Sequence, residues 1–194
     1  MKSTTKILCI LFSVIMIFQL TGCANKKATT AYEHLKEAEN LINARVETLY
    51  EAVTYGRSIT KSSTGICSRF ADILGCSEQE LKEWDSVFEG SDSKLANAFS
   101  YYPDSLSIMT CYIVYVQSGE YKKFDNELEA AKNSIMEIEN DKNGLYEELM
   151  NYYECLKEFD DNFPESSSDK FDKSKIEEYQ MNFKKYRLAI EDKM

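Results

Sequence analysis

Cys67, Cys76, Cys111 and Cys155 have the widest chemical range in the body of this chain, because a thiol can pair, hold a metal or attack an electrophile. In an oxidising compartment, four thiols admit three fully paired connectivities. A helix over 66–74 would separate Cys67 from Cys76 by roughly 13 Å at about 1.5 Å per residue. That exceeds the separation of about 7 Å beyond which a disulfide cannot close, so pairing between segments is favoured over the local pair. The alternative is four buried, reduced thiols acting as small apolar side chains. Structural zinc sites use cysteines two to four residues apart; no such spacing occurs, and neither a metal nor a cofactor is expected.

Other reactive side chains are few. His34 is the only histidine and stands between Glu33 and Glu37, which reads as a solvated helix position. A serine nucleophile needs a base and an oxyanion site, and neither a glycine-framed elbow nor a phosphate-cradling glycine loop is present. Asp160, Asp161 and Glu165 could serve as paired carboxylates or calcium ligands. Adjacent acids on a helix point in different directions, however, and a calcium loop alternates its acids around a turn glycine. These acids read as a solvated helix end, and the chain as a non-enzyme. Tyrosine is in surplus, thirteen against one tryptophan, grouped at Tyr101-Tyr102, Tyr112 and Tyr115, and Tyr152-Tyr153. Such side chains suit either a bundle rim or a contact surface.

The elements that must position these groups are helical, because only two prolines and seven glycines interrupt the chain. Ala31, Leu35, Ala38, Ile42, Val46, Leu49 and Val53 repeat at steps of three and four, predicting a helix from about Thr30 to Thr60. A short helix over 66–74 closes at Gly75. Ser77 and Glu80 have capping-box spacing and open a segment carrying Leu81, Trp84, Val87 and Phe88. Ser93 is placed to cap the next helix, and Asp104 or Ser105 to start the one after. The β-branched stretch over 108–116 could form a strand, but without a partner its backbone would go unpaired, so a buried helix ending at Gly119 is the better reading.

The longest periodicity runs Phe124, Leu128, Ala131, Ile135, Ile138, Leu145, Leu149, Tyr152, Leu156, Phe159 and Phe163. Its phase survives Asn140-Asp141-Lys142-Asn143-Gly144, which favours one long helix over about 121–163, roughly 60 Å from Phe124 to Phe163, over a hairpin. Ile176, Tyr179, Phe183, Tyr186 and Ile190 mark a closing helix. The expected fold is an all-α, antiparallel helical bundle with that long helix and shorter packing helices.

Ahead of this body lie Lys2 and Lys6, then fourteen mostly apolar residues over 7–20, then Thr21-Gly22. Such a layout is that of an export signal, and the apolar run is short of the about twenty residues that span a bilayer. Leu20-Thr21-Gly22-Cys23 resembles the lipobox of bacterial lipoproteins, a resemblance confined to the leader and Cys23. It implies recognition of Leu20, Thr21 and Gly22 by a dedicated signal peptidase, a diacylglycerol on the Cys23 sulfur and cleavage just before it. Two acyl chains hold durably where one does not. The implied organisation is a signal peptide over 1–22, a lipidated tether over 23–30 and a helical domain over 31–194.

Loss of Lys2 and Lys6 with the leader takes the net charge from −10 to −12. An acidic chain is unsuited to nucleic acid, whose binding rests on basic side chains, and to a second electrostatic grip on anionic lipid. The expectation is therefore a non-catalytic lipoprotein on the extracytoplasmic face of the cell membrane, held through Cys23. It would present its bundle to a protein partner as an adaptor, exclusion factor or envelope scaffold. The alternative is a small-ligand-binding lipoprotein serving transport or sensing, for which a pocket formed by Tyr101, Tyr112 and Tyr115 would speak.

Overall fold

The computed structural model describes residues 2–138, 143–166, 168–169 and 171–194, with side chains described from Lys26 onward. Among these residues all regular structure is helical, without strands: α1 (Lys2–Ser58), α2 (Ile66–Leu74), α3 (Glu78–Trp84), a 3-10 turn (Ser86–Glu89), α4 (Asp92–Tyr101), α5 (Pro103–Ser118), α6 (Glu120–Met136), α7 (Leu145–Asp161) and α8 (Lys173–Lys193).

The spine is α1, whose predicted stripe is buried in full from Ala31 to Val53. Helices α5 and α6 run antiparallel to it almost end to end. Their register is fixed by Arg57 with Asp104, Ser107 with the Ala52 carbonyl, Tyr115 with the Arg45 carbonyl, His34 with Glu127 and Lys27 with Glu137. Gly119, at φ +80°, is the left-handed joint between them. Helix α7 then returns parallel to α1, with Tyr152 against Glu39 and Asp160 against Arg45. Helix α8 reverses again, placing Arg187 at Glu39 and Gln180 at Asn43. With α5 and α6 counted as one run, the successive long helices alternate in direction, as a bundle with short connections requires.

The expected single helix over 121–163 is two helices, α6 and α7, lying side by side. The reason is burial. Because α6 already reaches Lys27, a continuous helix would carry Leu145, Leu149, Tyr152, Leu156 and Phe159 away from the stripe that α1 buries from Ala28 to Val53. Each forfeited side chain would cost about 1.5–3 kcal/mol. Folding back places both halves of the repeat against α1, and Gly144, at φ +72°, supplies the left-handed residue that starts α7. The tether expected over 23–30 also differs: 26–30 is helical, and Ala28 is only 1% exposed.

Locally the sequence signals hold with small shifts. The Ser77–Glu80 capping box forms in both directions. Ser91, not Ser93, precedes α4. Helix α5 begins at Pro103, one residue before Asp104, where a missing N–H has no intrahelical use. The β-branched 108–116 stretch is helical and buries Ile108, Cys111 and Val114.

Candidate functional site

Leu20, Thr21, Gly22 and Cys23 lie outside the residues whose side chains are described. Cys67, Cys76, Cys111 and Cys155, the cysteines among the described side chains, are unpaired. They stand on different elements: Cys67 in the first turn of α2, Cys76 past its end, Cys111 inside α5, and Cys155 on α7 facing α8. Burial pushes every one of these thiols up, Cys155 to about 11 and Cys111 furthest, so they stay protonated at neutral pH and are poor nucleophiles. His34 is not simply solvated: its Nδ1 is 2.7 Å from Glu127, joining α1 to α6.

Asp160 and Asp161 diverge as adjacent helical residues must. Asp161 accepts from Lys157 at the surface, whereas Asp160 turns inward to a residue the sequence reading passed over. Arg45 is 2% exposed, and its Nη2 donates to Asp160 Oδ1 at 2.5 Å. The guanidinium carbon lies 4.6 Å from the ring centre of Tyr121, 4.9 Å from Phe124 and 5.2 Å from Phe163, an aromatic cage that offsets part of the cost of burying the charge. Burial raises the Asp160 carboxyl, and Arg45 counters it without reversing the shift. A signal for this residue was present: Arg45 occupies a step of the Ile42–Val46–Leu49 stripe. Glu39 does likewise beside Leu35 and Ala38, and it is buried, receiving the Tyr152 hydroxyl and Arg187 Nη1 at 3.2 Å.

The tyrosines separate. Tyr115 is buried, its hydroxyl donating to the Arg45 carbonyl at 3.2 Å, and Tyr112 packs edge-on against Tyr121. Tyr101 and Tyr102 are exposed side by side at the α4–α5 corner, ring centres 6.3 Å apart. The three tyrosines proposed to form a pocket therefore point to different surroundings.

A groove of about 440 Å³ opens elsewhere, between α7 and α8. Cys155, Tyr179 and Tyr186 line it, and Glu154, Glu158 and Glu178 outnumber Lys175, the one cation among the described lining residues. The Tyr179 hydroxyl donates to Glu158 at 3.2 Å; burial, then Glu158, pushes its pKa up to about 12. Carboxylates and neutral hydroxyls can hold a cation there but offer no activated nucleophile. Among the described residues, no group of three or more metal-ligating side chains occurs, and no helix is long and apolar enough to cross a membrane.

No family model, curated protein or solved structure matches this chain.

Proposed function

We propose that the protein is a non-catalytic lipoprotein, held on the extracytoplasmic face of the cell membrane through lipid on Cys23, that presents its helical bundle to a protein partner. The observation that carries this reading is the Leu20-Thr21-Gly22-Cys23 motif within the helix that becomes the bundle's spine. An anchor built into α1 would orient the whole body, because α5, α6 and α7 are all registered on that helix.

The surface best suited to a partner is the far corner. Arg57, bonded twice to Asp104, sets the α4–α5 junction beside the C-terminal end of α1. Tyr101 and Tyr102 thus stand about 45 Å along the spine from Lys26, at about 1.5 Å per residue. Exposed tyrosines combine apolar area with a hydrogen-bonding tip, the composition enriched in protein contacts. Crosslinking in intact cells, followed by capture from solubilised membranes, tests this. A partner recovered with the native chain and lost with Tyr101→Ala/Tyr102→Ala supports the reading; no partner under any growth condition counts against it.

The ligand-binding alternative has one feature in its favour, the acidic α7–α8 groove, which would suit a small organic cation. Titration calorimetry with polyamines, comparing the native chain with Glu158→Gln, would separate the two: heat abolished by that substitution favours the ligand.

A further inference from the structure

We propose that the end of the bundle formed by residues 26–32 of α1, the end of α6, the start of α7 and the end of α8 is seated on the headgroup layer of the membrane that carries the anchor. This rests on the lipid-anchor reading above and adds an orientation to it.

A flexible tether over 23–30 would let the body tumble away from the surface. Instead α1 is helical through these positions and Ala28 is already buried, so the bundle begins five residues beyond Cys23, about 7.5 Å at about 1.5 Å per residue. The other helices end at the same level. Lys27 pairs with Glu137 just past α6, and the Tyr32 hydroxyl donates to Glu191 at 2.6 Å. Lys193 Nζ donates to the Gly144 carbonyl at 3.1 Å and to Glu148 at 2.8 Å, while Asn143 Nδ2 donates to the Lys193 carbonyl at 3.0 Å. An attachment at residue 23 therefore brings this whole end, not only α1, to the bilayer surface.

Its side chains suit that place. Met136 is 64% exposed at the end of α6, beside Tyr146, whose hydroxyl meets its sulfur at 3.6 Å. Lys26 and Lys27 are exposed in the same layer. Long basic side chains and a flexible apolar one fit an interface whose outer part is charged and whose inner part is apolar. Of the acids at this end, Glu137 is engaged by Lys27, Glu148 by Lys193 and Glu191 by Tyr32, while Glu33, Glu147 and Asp192 are exposed.

Two methionines make the test internal. Met181 on α8 is 67% exposed, matching Met136, but it lies twelve residues before Lys193, about 18 Å farther from this end at about 1.5 Å per residue. The full lipidated protein, labelled at methionine methyls with carbon-13, is reconstituted in nanodiscs with and without a gadolinium-bearing lipid. Signals are assigned with Met136→Leu and Met181→Leu. Seating predicts several-fold stronger attenuation of the Met136 methyl than of the Met181 methyl. Lipid-bound protein with equal attenuation, or with Met181 the more affected, overturns the seating and leaves the anchor standing. Protein that fails to enter the discs overturns both.

Discussion

Arg45 and Asp160, on helices α1 and α7, meet at 2.5 Å inside the bundle, with the guanidinium enclosed by Tyr121, Phe124 and Phe163. Together they join four segments, because Tyr121 and Phe124 belong to α6 and Phe163 follows α7. Breaking a buried pair from one side leaves the other charge uncompensated, at a cost of about 3–5 kcal/mol, whereas replacing both by apolar groups is often neutral. Asp160→Leu should therefore destabilise by about that amount, and Arg45→Met/Asp160→Leu should recover most of the loss. Denaturant unfolding of the two single variants and the double variant checks this; strictly additive losses would mean that the two charges are not coupled.

Leu149 is fully buried on α7, in the seam that turned back onto α1. Leu149→Ala should cost about 2–5 kcal/mol, the range for emptying a filled site. Thermal unfolding unchanged from the native chain would remove Leu149 from the core.

Gly56 lies where α1 packs tightly against α5. A Cβ there would fall far inside contact distance of Ser107 Oγ and lie 3.2 Å from the Pro103 carbonyl oxygen. Ser107 is itself fixed, its hydroxyl donating to the Ala52 and Pro103 carbonyls. Gly56→Ala should destabilise by about 1–3 kcal/mol through overpacking. Adding Ser107→Ala should return part of that loss, since it removes the nearer of the two obstacles. If Gly56→Ala alone unfolds at the native denaturant midpoint, the helices are not this close.

Acid should act through Asp104. Arg57 donates Nε and Nη2 to its two oxygens, each at 2.6 Å, and these bonds hold the carboxyl below the usual carboxylate range. The unfolded chain, with an ordinary value of about 3.9, takes up this proton first as pH falls. The stabilisation is therefore complete above that value and disappears as pH drops through the lowered one. Asp104→Asn should flatten the acid limb of the stability curve while leaving the fold intact. Parallel acid limbs for the two proteins would show that the pair contributes nothing there.

The parts of the fold legible in the sequence were those set by local chemistry. The Gly75 stop, the Ser77–Glu80 box, the Gly119 joint and each apolar stripe follow from residues within a turn or two of one another. What escaped the reading depends on distant partners. The repeat over 124–163 keeps its phase whether the chain continues or folds back, and it is the buried stripe of α1, described from Ala28 to Val53, that both halves pack against. Asp92 stabilises the start of α2 by accepting the Gly65 and Ile66 amides at 2.8 and 3.2 Å, a cap supplied from another helix. Arg45 and Glu39 were visible as charges set into an apolar stripe; their partners, Asp160 and Arg187, were not.

The account stands or falls on Cys23. Intact-mass measurement of membrane-extracted protein, together with fractionation of native and Cys23→Ser chains, tests it most directly. The account predicts a native chain that begins at Cys23, carries the mass of a diacylglyceryl group and sediments with membranes, and a Cys23→Ser chain that lacks that mass and leaves the membrane fraction. An unmodified native Cys23, or a serine variant that stays membrane-bound at unchanged mass apart from the substitution, would contradict it.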